Sequence, residues 1–458
     1  MQKRNMIVNS TSDMKFSKFN IYTKDRDGNL LLSNTISNIF VRIHNEKYIE
    51  PLELNERLMR NLDDETIKLF IKYGILVDRE KDETYLIDDI YKSTVRDYKR
   101  LDMVILTTNQ CNFSCVYCFQ KREPDFLNFK QLDTLVSFIE SKIDEYGYEN
   151  VKIRWFGGEP LLNLSGILYF SDKINQLRKK KKFTYGCGII SNGYLLDLET
   201  FRQLYKNRVV TYQITIDGLP GIKYRVLNNG EETFYTIIRN LKLIRDNVEY
   251  SMFSITIRIN FTRELIERAE EIVELLYKEF GNDKRFSFSF IPVFDWSYKD
   301  TDYMRAEQLK KELVHEKDVA MVMKKYSGKL DFKAWSNLMY AHNNCWAGTK
   351  HGYAIDANGD ILKCEFKLEG FDENKVGNIS KEGILTFDPE KEKKWIFDNP
   401  LPECYDCACF PLCLSTSCGA ARQQGIMSQK CGTFMQQALD YLEIESYSRY
   451  NHFVEVFI

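Results

Sequence analysis

Leu106-Thr-Thr-Asn-Gln-Cys-Asn-Phe-Ser-Cys-Val-Tyr-Cys-Phe119 closes an apolar run that reads as a β-strand, and its three cysteines decide the reading of the chain. Cys111, Cys115 and Cys118 are spaced x3 and x2 on one short loop. Thiolates placed in this way can reach three irons of a cubane cluster and leave the fourth iron without a protein ligand. An open iron is a place for chemistry. Structural zinc is the competing account, but it asks for four ligands, usually as paired short spacings, and no fourth Cys or His follows nearby.

Farther along, Val151-Lys-Ile-Arg-Trp-Phe-Gly-Gly-Glu-Pro160 runs from a second strand into a glycine turn. Glycine there lets backbone carbonyls approach a ligand. Alone, Gly157-Gly158 is an ordinary turn. Taken with the cysteine loop, where Tyr117 and Phe119 flank Cys118, it resembles the radical S-adenosylmethionine superfamily. The resemblance implies that the amino and carboxylate groups of S-adenosylmethionine chelate the free iron. It further implies reductive cleavage to a 5′-deoxyadenosyl radical, which takes a hydrogen from the substrate. It assigns the turn Gly157-Gly158-Glu159 to the methionyl amino group.

At 458 residues, with 44% apolar and 28% charged residues, the chain is long enough for two or three domains and has the composition of a soluble globular protein. A formal charge of −2 gives no overall basis for binding nucleic acid or a membrane. The one basic run, Arg178 to Lys182, falls where a helix should end and reads as cations complementing the helix dipole. Met1 to Ser12 lacks the apolar core of a signal peptide, and no stretch approaches the roughly eighteen apolar residues of a membrane span, so a cytoplasmic location is expected. Thiols in that compartment are kept reduced. Twelve cysteines are then better explained by metal sites than by disulfides, and the five histidines show no ligand spacing.

From Met103 to about Val293 apolar strand-like runs alternate with amphipathic helical ones. The strands are expected near 103–107, 151–156, 184–190, 210–216, 251–259 and 286–292. Leu132, Val136, Ile139 and Ile143 recur at helical spacing, and Thr233–Ile244 and Glu264–Phe280 behave likewise. Six strand-helix units imply an α/β fold with a parallel sheet, and the resemblance implies a partial (β/α)6 barrel of the TIM type. Ligands in such barrels sit at the C-terminal strand ends. By resemblance Ser191, in Ser191-Asn192-Gly193 after the third strand, would contact the ribose. Asp217 after the fourth strand, with Arg258 and Asn260 at the end of the fifth, would lie around the ribose or the methionyl carboxylate. Asp217-Gly218 is equally a turn signal, and Arg258 equally an exposed boundary charge.

Beyond Trp296 a charged helical connector leads to a second set of cysteines: Cys345, Cys364, Cys404, Cys407, Cys413, Cys418 and Cys431. Their order resembles the SPASM extension, which holds one or two auxiliary 4Fe-4S clusters. One interval departs from that pattern, since four residues separate Cys413 from Cys418 where the family usually has three, and a surplus Cys409 stands nearby. The resemblance implies that Cys404, Cys407, Cys413 and Cys431 enclose an outer cluster and that Cys345, Cys364 and Cys418 hold an inner one. The inner set is one ligand short. A soft thiolate is the natural fourth ligand, so a substrate cysteine is one candidate, with Cys409, Cys187 or water as alternatives; Cys187 reads equally as a small buried hydrophobe.

The first hundred residues contain a hairpin around Asp25-Arg-Asp-Gly28, helical stretches near Glu53–Asn61 and Asp64–Lys72, and a wing from Ile75–Asp78 with Glu83–Leu86. This winged-helix-like arrangement resembles the peptide-recognition element of ribosomal-peptide maturases, which takes a leader peptide as an added strand at a sheet edge. A structural cap on the barrel is the alternative. The expected division is therefore 1–100 for leader recognition, 101–295 for the barrel, 296–340 for the connector and 341–458 for the SPASM domain.

Together these resemblances imply an enzyme that uses S-adenosylmethionine and three 4Fe-4S clusters to crosslink a ribosomally made precursor peptide, in the first place through a cysteine thioether. Formylglycine formation in a sulfatase and carbon–carbon crosslinking are the alternatives within the class. An iron–sulfur electron carrier is the alternative outside it. A reducing protein such as flavodoxin or ferredoxin is the expected partner besides the peptide. The sequence names no general base.

Overall fold

The computed structural model describes residues 13–44, 62–118, 120, 122–249, 252–293, 313–332, 345–366, 372–415, 418–425, 428–447 and 453–457. The chain divides into two compact units, one of residues 1–97, 336–345 and 397–458, the other of residues 98–335 and 346–396.

The first unit opens with β1 (Met14–Phe16), β2 (Asn20–Lys24), β3 (Leu30–Asn34) and β4 (Ile39–His44), then α1 (Asp64–Lys72), β5 (Leu76–Asp78) and α2 (Thr84–Tyr91). The hairpin between β2 and β3 forms where expected. Asp25 Oδ1 accepts from the Asp27 and Asn29 amides at 3.0 and 2.8 Å, and Gly28 takes the positive φ of 82° that the turn needs. Asp63 caps α1 through the Thr66 amide at 2.7 Å.

The wing differs from expectation. β5 pairs antiparallel with β1, and residues 84–91 form a helix instead of a strand. Ile87 and Tyr91 are buried one turn apart on that helix, and Glu83 accepts from the Ser17 hydroxyl and the Lys18 amide. The helical period of the buried residues wins over the short apolar run. The stretch 53–61 lies outside the described residues.

In the second unit strands and helices alternate: β6 (Arg100–Leu106), α3 (Phe129–Tyr146), β7 (Asn150–Phe156), α4 (Leu164–Lys181), β8 (Thr184–Ser191), α5 (Leu198–Lys206), β9 (Val209–Thr215), α6 (Phe234–Asn247), β10 (Ser254–Phe261), α7 (Ala269–Phe280), β11 (Phe286–Pro292) and α8 (Glu316–Tyr326). The six strands lie side by side in chain order, all parallel, as the sequence pattern predicts. Their inner residues, among them Met103, Ile105, Ile153, Trp155, Ile189, Ile214 and Ile257, are fully buried. Helices covering a parallel sheet require this. Arg178–Lys181 form the last turn of α4, where Lys180 and Lys181 meet Glu140 and Asp144 of α3 at the surface, at 2.9 and 2.7 Å.

The sheet does not end at β6. Its outer edge pairs in parallel with β12 (Gly352–Ile355), and β13 (Asp360–Leu362), β14 (Lys375–Ile379) and β15 (Leu385–Phe387) follow antiparallel. Val104 and Leu106 of β6 pack with Ala354 and Leu362 across this junction.

The first unit is completed by α9 (Ser428–Glu445) and β16 (Phe453–Phe457), the latter parallel to β4 in a sheet of order β16-β4-β3-β2. Period-two alternation splits β3 between two cores. Leu30 and Leu32 face Val41, Ile43, Ile67 and Phe70, while Leu31 faces Ile21, Leu412, Ala438 and Leu442. Among the described residues no helix is long and apolar enough to cross a membrane.

Candidate active site at the strand ends

The cysteine loop leaves the end of β6 and is held by backbone from another crossover. The Ser114 and Val116 amides donate to Val226 and Tyr224 carbonyls at 2.8 and 3.1 Å, and Asn228 donates to the Cys111 carbonyl at 2.8 Å. The loop is thus fixed by the segment 224–228, which follows β9. Burial pushes the Cys111 thiol up and the Cys115 thiol up to about 12, while the Arg225 guanidinium pulls both back. Free thiols there hold their protons, so ligation exchanges protons for metal.

The glycine turn after β7 packs on the same loop. The Gly158 and Glu159 amides donate to the Thr108 and Gln110 carbonyls, each at 2.8 Å. A Cβ on Gly157, whose φ is 138°, would lie 2.4 Å from Thr108 O, and one on Gly158 would lie 2.1 Å from Gln110 O. The missing side chains here make room for the backbone that carries Cys111. Glycine was expected at a close approach, and the approach seen is chain against chain.

Glu159 is fully buried. Its carboxylate accepts from the Ser191 hydroxyl at 2.8 Å and from the Asn192 and Leu161 amides at 2.8 and 3.0 Å. Burial raises its pKa against these bonds. Ser191 in turn accepts from the Gly193 amide at 3.0 Å, and Asn192 donates to Asn112 in the cysteine loop at 2.8 Å. The ends of β7 and β8 are therefore tied to the cysteine loop.

A second network joins the ends of β9 and β10. Asp217, in the left-handed region at φ 41°, accepts from the Asn260 amide and side chain at 2.8 and 3.1 Å. Asn260 accepts from Arg258 at 2.9 Å and donates to the Tyr117 hydroxyl at 3.2 Å. Burial pushes Asp217 up to about 6 and Arg258 down to about 10. Arg258 is no exposed boundary charge. The structure thus brings Asp217, Arg258 and Asn260 to Tyr117, one residue from Cys118.

Arg225 was not legible in the sequence. It is a buried cation whose Nη1 donates to the Tyr117 hydroxyl at 3.1 Å, with Nε 3.8 Å from Asp217 and the guanidinium 5.4 Å from the Phe113 ring centroid. Its charge couples to Cys111, Cys115, Cys118 and Asp217. Buried charges are retained when paired. Asp217 Oδ2 and Arg225 Nε nevertheless have no hydrogen-bond partner. A loop arginine ordinarily reads as solvated, so no sequence signal pointed to it.

Among the described residues no three His, Cys, Asp or Glu side chains could hold a single metal ion. A cubane asks less of convergence, because each thiolate meets a different iron. Three soft thiols beside a buried cation that offsets the charge of a thiolate-ligated cluster fit an iron–sulfur group.

In the first unit Cys413 lies within electrostatic reach of Cys404, Cys407 and Cys431, and Cys407 within reach of Cys404 and Cys431, while burial raises the thiols of Cys404, Cys407 and Cys431. Four such donors fit a fully ligated cluster. Cys409 is buried with Ile21, Leu31, Leu412 and Leu442, its sulfur 3.1 Å from Met435 Sδ. Cys418 caps a helical turn through the Ala421 amide at 3.3 Å, and Cys364 is held through its amide and carbonyl by Asn374, at 2.7 and 2.9 Å. Cys187 is buried on β8 with its thiol pushed up to about 12.

Residues 105–276 match the radical SAM superfamily. A radical SAM domain therefore spans residues 105–276 of this chain. It is 22% identical over 237 residues to the radical SAM cyclopropyl synthase TigE of Paramaledivibacter caminithermalis, covering 48% of this chain and 47% of the synthase, about half of that relative's length. It is 24% identical over 294 residues to the GTP 3',8-cyclase of Staphylococcus saprophyticus, covering 59% of this chain and 80% of the cyclase. Among solved structures, native anSMEcpe with bound AdoMet and a Cp18Cys peptide shares the fold with a TM-score of 0.52 at 18% identity, over 75% of this chain and 99% of that one.

Proposed function

We propose that this protein is a radical S-adenosylmethionine maturase with SPASM auxiliary clusters that crosslinks a ribosomally synthesized precursor peptide, in the first place by a cysteine thioether. The observation that carries the reading is the gathering of Cys404, Cys407, Cys413 and Cys431 in one unit, in addition to the three-cysteine loop at the strand ends of the other. A solved relative in fold holds AdoMet and a peptide, which supports a peptide substrate for this chain. The sheet and helices of residues 13–97 are the proposed leader-recognition element, and the six-stranded region the proposed barrel.

When bound, the cluster and S-adenosylmethionine supply the 5′-deoxyadenosyl radical. This chain's residues hold and orient. Cys111, Cys115 and Cys118 would ligate the radical cluster, and Cys345, Cys364 and Cys418 the inner auxiliary one. The turn Gly157-Gly158-Glu159 fixes the loop and would place the methionyl amino group. Ser191 would face the ribose, while Arg258, Asn260 and Asp217 would lie around the ribose or carboxylate. Such positioning is where the protein's own share of catalysis lies.

The test is iron content with electron paramagnetic resonance of the reduced protein purified without oxygen, followed by mass spectrometry of the co-expressed precursor. About twelve irons falling to about eight in Cys111/Cys115/Cys118→Ala is the expected result. A product two hydrogens lighter whose cysteine no longer alkylates supports the thioether. The same mass loss with an alkylatable cysteine means a carbon–carbon bond, and an aldehyde means formylglycine. About four irons in the wild type, or zinc, overturns the auxiliary clusters.

A further inference from the structure

Four residues separate Cys413 from Cys418, and the first two of them, Leu414 and Ser415, both take left-handed backbone at φ 54° and 55°. That region is costly for any residue with a Cβ, and such residues persist where their surroundings over-determine them. Ser415 is fully buried. Its hydroxyl has one hydrogen to give and two lone pairs to fill. The lone pairs are taken by the Leu401 amide at 3.2 Å and by Arg422 Nη1 at 3.1 Å. The hydrogen is left for the Cys404 sulfur: burial raises that thiol, and the bond from Ser415 pulls it back.

Arg422 stands behind Ser415, in the short helix Gly419–Gln423. Its guanidinium donates to the Ser415 carbonyl and the Tyr91 hydroxyl, each at 3.1 Å, and to the Asn399 carbonyl, with the Phe397 ring centroid 4.3 Å away. All of these acceptors are neutral. None of them cancels the charge of the half-buried cation, which Ser415 connects to Cys404. The residue that the cysteine spacing has in excess of the usual SPASM interval thus lies in a segment that brings a hydroxyl donor, backed by a cation, to one sulfur.

We infer that Ser415 and Arg422 are positioning residues for the outer auxiliary cluster and hold its reduction potential up, through the hydroxyl bond to Cys404 and the positive charge behind it. The inference rests on the reading that Cys404, Cys407, Cys413 and Cys431 enclose that cluster. Taking up one electron adds negative charge to a cluster and its thiolates, so a donor and a cation at a ligand sulfur favour the reduced form.

The test is a potentiometric titration followed by electron paramagnetic resonance. It uses the full-length chain carrying Cys111/Cys115/Cys118→Ala, and the outer cluster's signal is the one that Cys407→Ala removes. Ser415→Gly deletes the hydroxyl and suits the left-handed backbone. At a fixed applied potential its ratio of reduced to oxidised outer cluster should fall about threefold, a downward shift of about 28 mV at 59 mV per tenfold for one electron. Ser415→Ala should shift by the same amount. Arg422→Met should lower the ratio about tenfold, or about 59 mV, and Arg422→Lys, which keeps the charge, should lower it less. Unchanged potentials in Ser415→Gly and Arg422→Met, with about eight irons retained, overturn the inference and leave the maturase reading standing. A shift in Ser415→Ala that Ser415→Gly lacks assigns the effect to backbone strain and also overturns it. Loss of about four irons in both Ser415 variants makes the residue a support for the ligands and overturns the tuning. A parent chain that holds zinc, or gives no signal that Cys407→Ala removes, overturns the maturase reading and the inference with it.

Discussion

Replacing Gly158 by alanine should empty one cluster site without unfolding the protein. The new Cβ would stand 2.1 Å from the Gln110 oxygen and 2.6 Å from its carbonyl carbon. A carbon–oxygen contact settles at about 3.3 Å or more, so one segment must retreat by about 1.2 Å. That movement breaks the hydrogen bonds that the Gly158 and Glu159 amides donate to the Thr108 and Gln110 carbonyls. Leaving buried donors unmade costs about 1–3 kcal/mol each, roughly 2–6 kcal/mol for the two. The turn is braced by buried Glu159, so the loop yields, and the residue after Gln110 is Cys111. The expected protein has a native far-ultraviolet spectrum, about four fewer irons per chain and no 5′-deoxyadenosine. Gly186→Ala is the control, because nothing lies within 4 Å of a Cβ at Gly186. Full iron and normal cleavage in Gly158→Ala would refute the argument.

Four further outcomes follow from the same geometry. Cys409→Ala should keep its iron and lose only about 1–2 kcal/mol of packing, whereas Cys407→Ala should lose about four irons; iron loss in both would contradict the apolar setting of Cys409. Arg225→Met removes the nearer cation from buried Asp217 and leaves Arg258 as its remaining one, costing up to about 3–5 kcal/mol. Adding Asp217→Asn should recover part of that cost in a double-mutant cycle, and strictly additive costs would count against the pairing. Glu159→Gln turns one acceptor oxygen into a donor facing a buried N–H and should lower stability by about 1–3 kcal/mol in urea. Asp217 titrates at about 6 folded against 3.8 in its ordinary state. Folding therefore takes up a proton between those values, and stability is highest below 3.8 and declines as pH rises toward 6, by at most about 1.4 kcal/mol per unit. Asp217→Asn should flatten that slope in anaerobic unfolding between about pH 5 and 6; an unchanged slope refutes the assignment.

The chemistry of the strand ends was legible because its signals are contiguous. Cys111, Cys115 and Cys118 carry their spacing in eight consecutive residues, and β7 and β11 show their apolar runs directly, so the parallel sheet follows from alternation alone. The hairpin at Asp25–Gly28 is equally local, because an aspartate that bonds its own turn needs no distant partner. Where two local signals competed, at 83–86, burial of Ile87 and Tyr91 chose the helix.

Pairing between distant residues has no such trace. Only the tertiary structure joins β12 to β6 and β16 to β4, since short apolar strands are compatible with many edges, and which edge is chosen depends on the core that both must fill. The same holds for charge. Arg225 reads as a solvated loop cation until the fold buries it against Tyr117 and Asp217, and only the fold sets the surplus Cys409 among Ile21, Leu412 and Leu442. The sequence determined which groups are chemically able to act. The fold decided which of them are desolvated together, because burial and pairing are properties of neighbours that the chain brings from far apart.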